Sequence, residues 1–221
     1  MKKLAIIAAV IVFLLAVPMS VSVNGVTPSS GFADVDQSFW AYTAIDNLAQ
    51  MGIINGYPDG TFKPENPVTR AEFAKMVGIA FRLPAPGVSG GFTDITGHWA
   101  SGYIDAASER GFIKGYPDGT FKPENSVTKA EILTILIRAL GLEKVQFKDI
   151  WIFQDVPRAH WAYSYVCIAL EHNLIDLSEG SAVVRLIADE QQPNYYHFFL
   201  DPDKPATRAQ TAWFLYQALL K

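Results

Sequence analysis

One four-residue pattern carries the candidate chemistry. Thr69-Arg70-Ala71-Glu72 returns as Thr128-Lys129-Ala130-Glu131 and as Thr207-Arg208-Ala209-Gln210. A Thr followed three residues later by Glu or Gln is a capping box, in which hydroxyl and side-chain carbonyl oxygen each satisfy an orphan backbone N–H at a helix start. Arg70, Lys129 and Arg208 are then each the first residue inside a helix. A cation there faces the positive end of the helix dipole and costs roughly 0.3–1 kcal/mol. Stability alone would favour Asp or Glu at that position. A carboxylate ligand docked beside it would meet both the cation and the free N–H groups of the first turn. The chemistry on offer is capture of an anion, three times over. The competing use of each cation is an ion pair with Asp34, Asp94 or Asp155 of another repeat.

Other residues recur in step with these. Phe32-Ala33-Asp34-Val35 returns as Phe92-Thr93-Asp94-Ile95 and Phe153-Gln154-Asp155-Val156, and Phe39-Trp40-Ala41 as His98-Trp99-Ala100 and His160-Trp161-Ala162. Flat Trp40, Trp99 and Trp161 suit the apolar face of a pyranose. A Trp just ahead of a helix is equally a packing anchor, and the reading here is core with one edge left exposed. Gly56-Tyr57-Pro58-Asp59-Gly60-Thr61-Phe62-Lys63-Pro64-Glu65-Asn66 returns without a mismatch from Gly115 to Asn125. Its Tyr-Pro-Asp-Gly core is turn chemistry, Pro setting φ and Gly taking positive φ. Asp59 and Asp118 lack the ligand spacing of a calcium loop. His98 and His160 lie on different repeats, so they read as caps or backbone partners and not as metal ligands.

Each repeat reads as helix, loop, helix. After Trp40 the residues Ala44, Ile45, Leu48 and Met51 follow the 3.6-residue period, and Gly52 suits a stop. After Thr69, Phe73, Met76, Val77, Ala80 and Phe81 form an apolar face. Ile132, Ile135, Leu136, Ala139 and Leu140 match them in the second repeat, and Thr211, Phe214, Leu215, Ala218 and Leu219 in the third. One helix pair cannot bury such a face alone, whereas three packed about a common axis can. The fold class predicted is therefore mostly all-α, three helix-loop-helix repeats in a pseudo-threefold bundle. Residues 31–83, 91–142 and 152–221 are the three repeats, with a Pro- and Gly-rich linker from Pro84 to Gly91. The third carries an insert at about 177–199 in place of the Tyr-Pro-Asp-Gly turn. Within the insert, residues 183–187 fit a strand or a helix extension. Tyr195, Tyr196, Phe198 and Phe199 make a candidate exposed aromatic patch.

Composition narrows the function further. Half of the 221 residues are apolar and the formal net charge is −4. Residues 1–22 read as a secretory signal peptide: Lys2 and Lys3, an apolar run from Leu4 to Val17, then Pro18 and small residues. An uncleaved leader would be the chain's one link to a membrane. Removing it leaves 16 basic against 22 acidic residues, a poor balance for nucleic acid. The lone Cys167, in an apolar stretch, reads as a small buried hydrophobe.

Together these blocks resemble the S-layer homology (SLH) family over roughly Gly31 to Lys221. The resemblance implies a three-pronged module whose grooves bind secondary cell-wall polymers, often with pyruvylated sugars, in the bacterial envelope. It implies a secreted protein at the cell wall, without enzyme activity, cofactor or metal. It assigns polysaccharide contacts to Arg70, Lys129, Arg208, Trp40, Trp99, Trp161, Asp34, Asp94 and Asp155, with Gly56, Tyr57, Gly115 and Tyr116 completing the set. Lys129 departs from the family's arginine and loses its bidentate fork. Phe39 stands where the family favours His. The alternatives are an envelope adaptor that holds a protein cargo through the insert, and a wall-glycan hydrolase, which would need paired carboxylates in a cleft.

Overall fold

The three threonines do what their spacing predicts. Thr69, Thr128 and Thr207 hold extended backbone, and each makes both hydrogen bonds of the capping box. They open α2 (Arg70–Ala80), α4 (Lys129–Ala139) and α6 (Arg208–Leu219). The preceding helices are α1 (Tyr42–Gln50), α3 (Ser101–Glu109) and α5 (Tyr163–Glu171). The computed structural model describes residues 31–84, 91–150, 152–177, 183–188 and 196–221. The predicted leader, the middle of the Pro- and Gly-rich linker and Tyr195 lie outside these. No helix among the described residues is long and apolar enough to cross a membrane.

The class is all-α as expected, with one addition. The insert contains a two-stranded antiparallel hairpin, β1 (Arg185–Ala188) and β2 (Tyr196–Phe199), with Arg185 opposite Phe199 and Ile187 opposite His197. The strand alternative thus holds for residues 185–188. The hairpin is tied down where Gln154 N–H donates to the Phe198 carbonyl at 2.9 Å. Phe198 and Phe199 are half-buried, and the Arg185 guanidinium lies 4.5 Å from the Phe199 ring. These two rings form no open aromatic patch: Phe198 packs against the core, and Phe199, on the other face of the strand, is covered by Arg185.

The segments ahead of α2, α4 and α6 meet at the centre. Val127 N–H donates to Val68 O at 2.9 Å, Ala206 N–H to Val127 O at 2.9 Å, and Val68 N–H to Ala206 O at 3.2 Å. The ring closes on itself, which is what a threefold axis requires of three copies of one segment. Val68, Val127 and Ala206 are fully buried around it. Outside the ring the packing is cyclic as well: α2 lies on α3, α4 on α5, and α6 on α1. The predicted faces are inside, with Phe73, Val77, Ile132, Leu136, Phe214 and Leu215 fully buried. Met51 departs from its predicted face and is 57 % exposed, since it follows the last turn of α1 as its C-cap. Cys167 is buried, its Sγ 3.5 Å from the Ile150 carbonyl oxygen.

The repeated aspartates hold the loops of their own repeats. Asp34 accepts from the Phe62 and Lys63 amides at 2.7 Å each, Asp94 from Phe121 and Lys122 at 2.8 and 2.7 Å, and Asp155 from Leu200 and Asp201 at 3.0 and 2.6 Å. The second residue of each pair has positive φ: 55° at Lys63, 58° at Lys122 and 53° at Asp201. A side chain in that region costs of order 1 kcal/mol, and the carboxylate clamp offsets it. Both oxygens of each aspartate are thereby engaged, so these residues shape the groove wall from behind.

Partial burial raises the Asp94 pKa, but the two amide bonds outweigh it and hold it below its ordinary value. The clamp therefore stabilises the fold fully above the unfolded-state pKa and is lost as pH falls through the lower folded value. Asp94→Ala is expected to cost about 1–2 kcal/mol at neutral pH, as two charge-assisted bonds are lost at a solvent-exposed site. The gap from wild type should close below about pH 4. Urea denaturation at both pH values checks this.

Candidate functional site

Each repeat gives its second helix to the next repeat's loop. Arg70 N–H donates to Asn125 O at 2.8 Å and Ala71 N–H to Pro123 O at 3.0 Å. Lys129 and Ala130 do the same to Lys204 and Pro202, at 3.3 and 2.9 Å, and Arg208 and Ala209 to Asn66 and Pro64, at 2.8 and 2.9 Å. The next amide, of Glu72, Glu131 or Gln210, is taken by the capping threonine. The first-turn amides expected to be bare for a ligand are thus all engaged inside the fold. An anion at this place would be held by side chains.

The hand-over carries each cation into the neighbouring repeat. Arg208, 7 % exposed, donates from Nε to Phe62 O and from Nη2 to Asn55 O, both at 2.7 Å, and lies over the rings of Phe62 and Tyr57 at 4.3 and 5.1 Å. Arg70, 5 % exposed, donates from Nε to Phe121 O at 2.8 Å and from Nη1 to Glu131 Oε1 at 2.5 Å, over Phe121 and Tyr116 at 4.5 and 4.9 Å. Lys129 donates to Leu200 O at 2.8 Å. Burial lowers its pKa, against the opposing pull of the Asp201 carboxylate. The competing ion pairs with Asp34, Asp94 and Asp155 do not form among the described residues. The carboxylate that meets Arg70 is Glu131, a residue the sequence reading used only as a cap.

Two of the three cations border an open crevice assembled from all three repeats. Crevice 1, of about 220 Å³, has Gly56 and Tyr57 from repeat one, Lys75 on α2, Trp99 from repeat two and Arg208 from repeat three. Crevice 2, of about 190 Å³, has Gly115 and Tyr116 from repeat two, Arg138 on α4, Trp161 from repeat three and Arg70 from repeat one. Trp99 and Trp161 are 57 % and 55 % exposed, more than the expected single edge. Each lies against the histidine before it, at 5.4 and 5.8 Å between ring centres, and that histidine's Nδ1 accepts the amide N–H that precedes the helix. Gly56 and Gly115 have a packing reason: a Cβ at either would collide with the ring of Phe32 or Phe92. Lys63 and Lys122 sit 4.1 Å above Tyr57 and Tyr116 and pair with Asp59 and Asp118. Those aspartates also accept the amides of Thr61 and Thr120, as turn residues do.

The third position is built differently. Leu177 stands where Gly56 and Gly115 stand, Asp201 where Lys63 and Lys122 stand, and Trp213 where Lys75 and Thr134 stand. Trp213 packs on Trp40 at 5.8 Å between ring centres. The cavity beside it, about 580 Å³, is lined mainly by apolar residues, Ile150, Ile152, Leu170, Leu177 and Trp213 among them, together with Asn173, Asp176 and Gln217. Of the three tryptophans, Trp40 is thus the packed one. Superposing the three capped helices residue by residue in the sequence would have picked out Trp213, Lys75 and Asp201.

Buried cations flanked by an open aromatic thus line two crevices shared between repeats. Residues 31–74 and 91–133 match the S-layer homology domain, and neither stretch reaches the third helix pair. The chain is 36 % identical over 177 residues to Cell surface glycoprotein 1 of Acetivibrio thermocellus, covering 75 % of this chain and 8 % of that protein. It is 34 % identical over 166 residues to the Cellulosome-anchoring protein of the same organism, covering 72 % and 37 %. With an S-layer protein of Bacillus licheniformis it shares 34 % over 132 residues, covering 59 % and 15 %. The chain thus spans well under two thirds of each of these relatives. The matches support a secreted, cell-wall-associated protein.

The exposures separate the tryptophans by role. Trp99→Ala and Trp161→Ala are expected to leave the thermal midpoint within about 2 °C of wild type. Trp40→Ala removes a ring packed on Trp213 and should cost about 2 kcal/mol. Differential scanning calorimetry of the three variants decides it: a Trp99→Ala as costly as Trp40→Ala would place its ring in the core.

Proposed function

We propose that this chain is a non-catalytic anchoring module of the cell envelope that binds an acidic, pyruvylated secondary cell-wall polysaccharide in crevices 1 and 2. The observation that carries the reading is Arg208. It is a buried guanidinium held on two carbonyls, with no carboxylate within ion-pair distance among the described residues, at the wall of a crevice shared with exposed Trp99. A sugar carboxylate supplies the missing charge, and the pyranose face lies on the indole. Tyr57 and Tyr116 make the opposite wall. Asp34 and Asp94 act indirectly, by setting the loops that carry Phe62 and Phe121. Residues 152–221 serve as a third SLH repeat, since their helices close the ring and deliver Arg208 and Trp161.

A hydrolase reading finds no pair of free carboxylates in the described linings of crevices 1 and 2. Each crevice lining offers one glutamate, Glu72 or Glu131, and that side chain is engaged in a capping box. Glycosidic cleavage uses two carboxyl groups set across the scissile bond. The relatives named for surface layers and anchoring fit a module attached to larger assemblies, so an envelope protein is the proposed cargo.

Purified protein should co-sediment with wall polymer bearing pyruvyl groups. Arg208→Ala is expected to weaken this at least about tenfold, the worth of one charge-assisted contact. Polymer stripped of its pyruvyl ketals by mild acid should fail to bind. Equal sedimentation with stripped polymer would refute the acidic-sugar reading.

A further inference from the structure

The two open crevices share a plan but differ in counter-charge. In crevice 2, Glu131 Oε1 accepts from Arg70 Nη1 at 2.5 Å and from the Tyr116 hydroxyl at 3.3 Å, while its other oxygen accepts the Thr128 amide at 2.9 Å. Burial raises the Tyr116 pKa, Arg70 opposes this, and the Glu131 charge adds to it. In crevice 1 the matching Glu72 caps Thr69 at 2.8 Å. It makes no ion pair with Arg208, whose Nη2 goes to a backbone carbonyl instead. An incoming carboxylate is the first anion to reach Arg208. At Arg70 it must compete with one already bound.

The further cations of crevice 2 do not reverse this. Arg138 is held by Glu143 at 3.2 Å and by the Tyr165 hydroxyl at 3.0 Å. Lys114 lies close enough to Glu143 to lower that carboxyl's pKa, after hydrogen bonds from Tyr165 and Arg138 and against burial. Lys75 in crevice 1 has no acidic partner of this kind within ion-pair distance among the described residues.

We propose that Glu131 is a built-in competitor for the ligand's carboxylate. It makes crevice 2 the weaker of two unequal sites and crevice 1 the tight one. This rests on the acidic-sugar reading above. Two features of the fold show that the competitor is dispensable for structure. Gln210 makes the same capping box on Thr207 without a charge, its Oε1 accepting the Thr207 amide at 3.2 Å. Arg208 shows that a buried guanidinium is held here by carbonyls alone.

Isothermal titration of the whole chain with the methyl glycoside of a pyruvylated N-acetylhexosamine tests it. Wild type should show two sites of different affinity. Glu131→Gln should tighten the weaker one by about tenfold, the cost of displacing one charge-assisted hydrogen bond, and leave the stronger one in place. Arg208→Ala should abolish the tight site. Trp99→Ala, at an exposed position, should do the same if the arginine variant fails to fold. Two equal sites in wild type, a tight site that survives Trp99→Ala, or an unchanged weak site in Glu131→Gln each overturn the proposal while keeping the acidic-sugar reading. No binding by wild type overturns both.

Discussion

Val68, Val127 and Ala206 pass one backbone hydrogen bond each around a closed ring, and the geometry of every crevice follows from it. Short buried segments with unpaired edges cannot stay unpaired in a core, where an orphaned amide costs about 1–3 kcal/mol. Three copies of one segment meet this demand only by pairing in rotation. Rotation then places each capped helix beside the next repeat's loop. That loop's carbonyls take the helix's first amides, and the first side chain of the helix is pushed into the neighbour's wall. The cation belongs to one repeat, the aromatic floor to a second, and the exposed tryptophan to a third.

The joining of repeats leaves side chains, not amides, to meet any anion at these helix starts. A helix start is a ready anion site because its amides are free, but here they are spent on joining repeats. What remains is a guanidinium fixed by carbonyls and sandwiched over two rings. Such a group pays little further ordering entropy when a carboxylate arrives, since its side chain is already immobile. The cost of an unfavourably placed cation is borne by the fold, and its return is a charge with one direction left open.

Much of this was legible in the residues. The capping boxes, the helix starts, the buried faces of α2, α4 and α6 and the places of Arg70, Lys129 and Arg208 follow from repetition and period, whereas Tyr57 and Tyr116 were singled out as contacts by the family resemblance alone. Other features depend on what lies across a repeat boundary, which a linear pattern does not contain. Asp34 and Asp94 look like ligand groups until Phe62, Lys63, Phe121 and Lys122 are seen donating to them. Glu131 looks like a cap alone until Arg70 arrives from the preceding repeat. Trp40 and Trp99 occupy the same place in sequence, yet one is packed and the other open. The difference is Trp213, on a helix more than a hundred residues away from either. The hairpin was ambiguous for a different reason: five residues, Val183-Val184-Arg185-Leu186-Ile187, are too few to fix a periodicity.

Crevice 1 is completed by its most distant residue. Arg208 meets the Phe62 carbonyl across 146 positions of chain and the Asn55 carbonyl across 153, whereas Arg70 meets Phe121 across 51. The guanidinium of crevice 1 comes into register only when these distant segments have met, and closing so long a contact is the slow step expected of high contact order. Crevice 1 is thus expected to be complete after crevice 2, whose arginine closes the shorter stretch of chain.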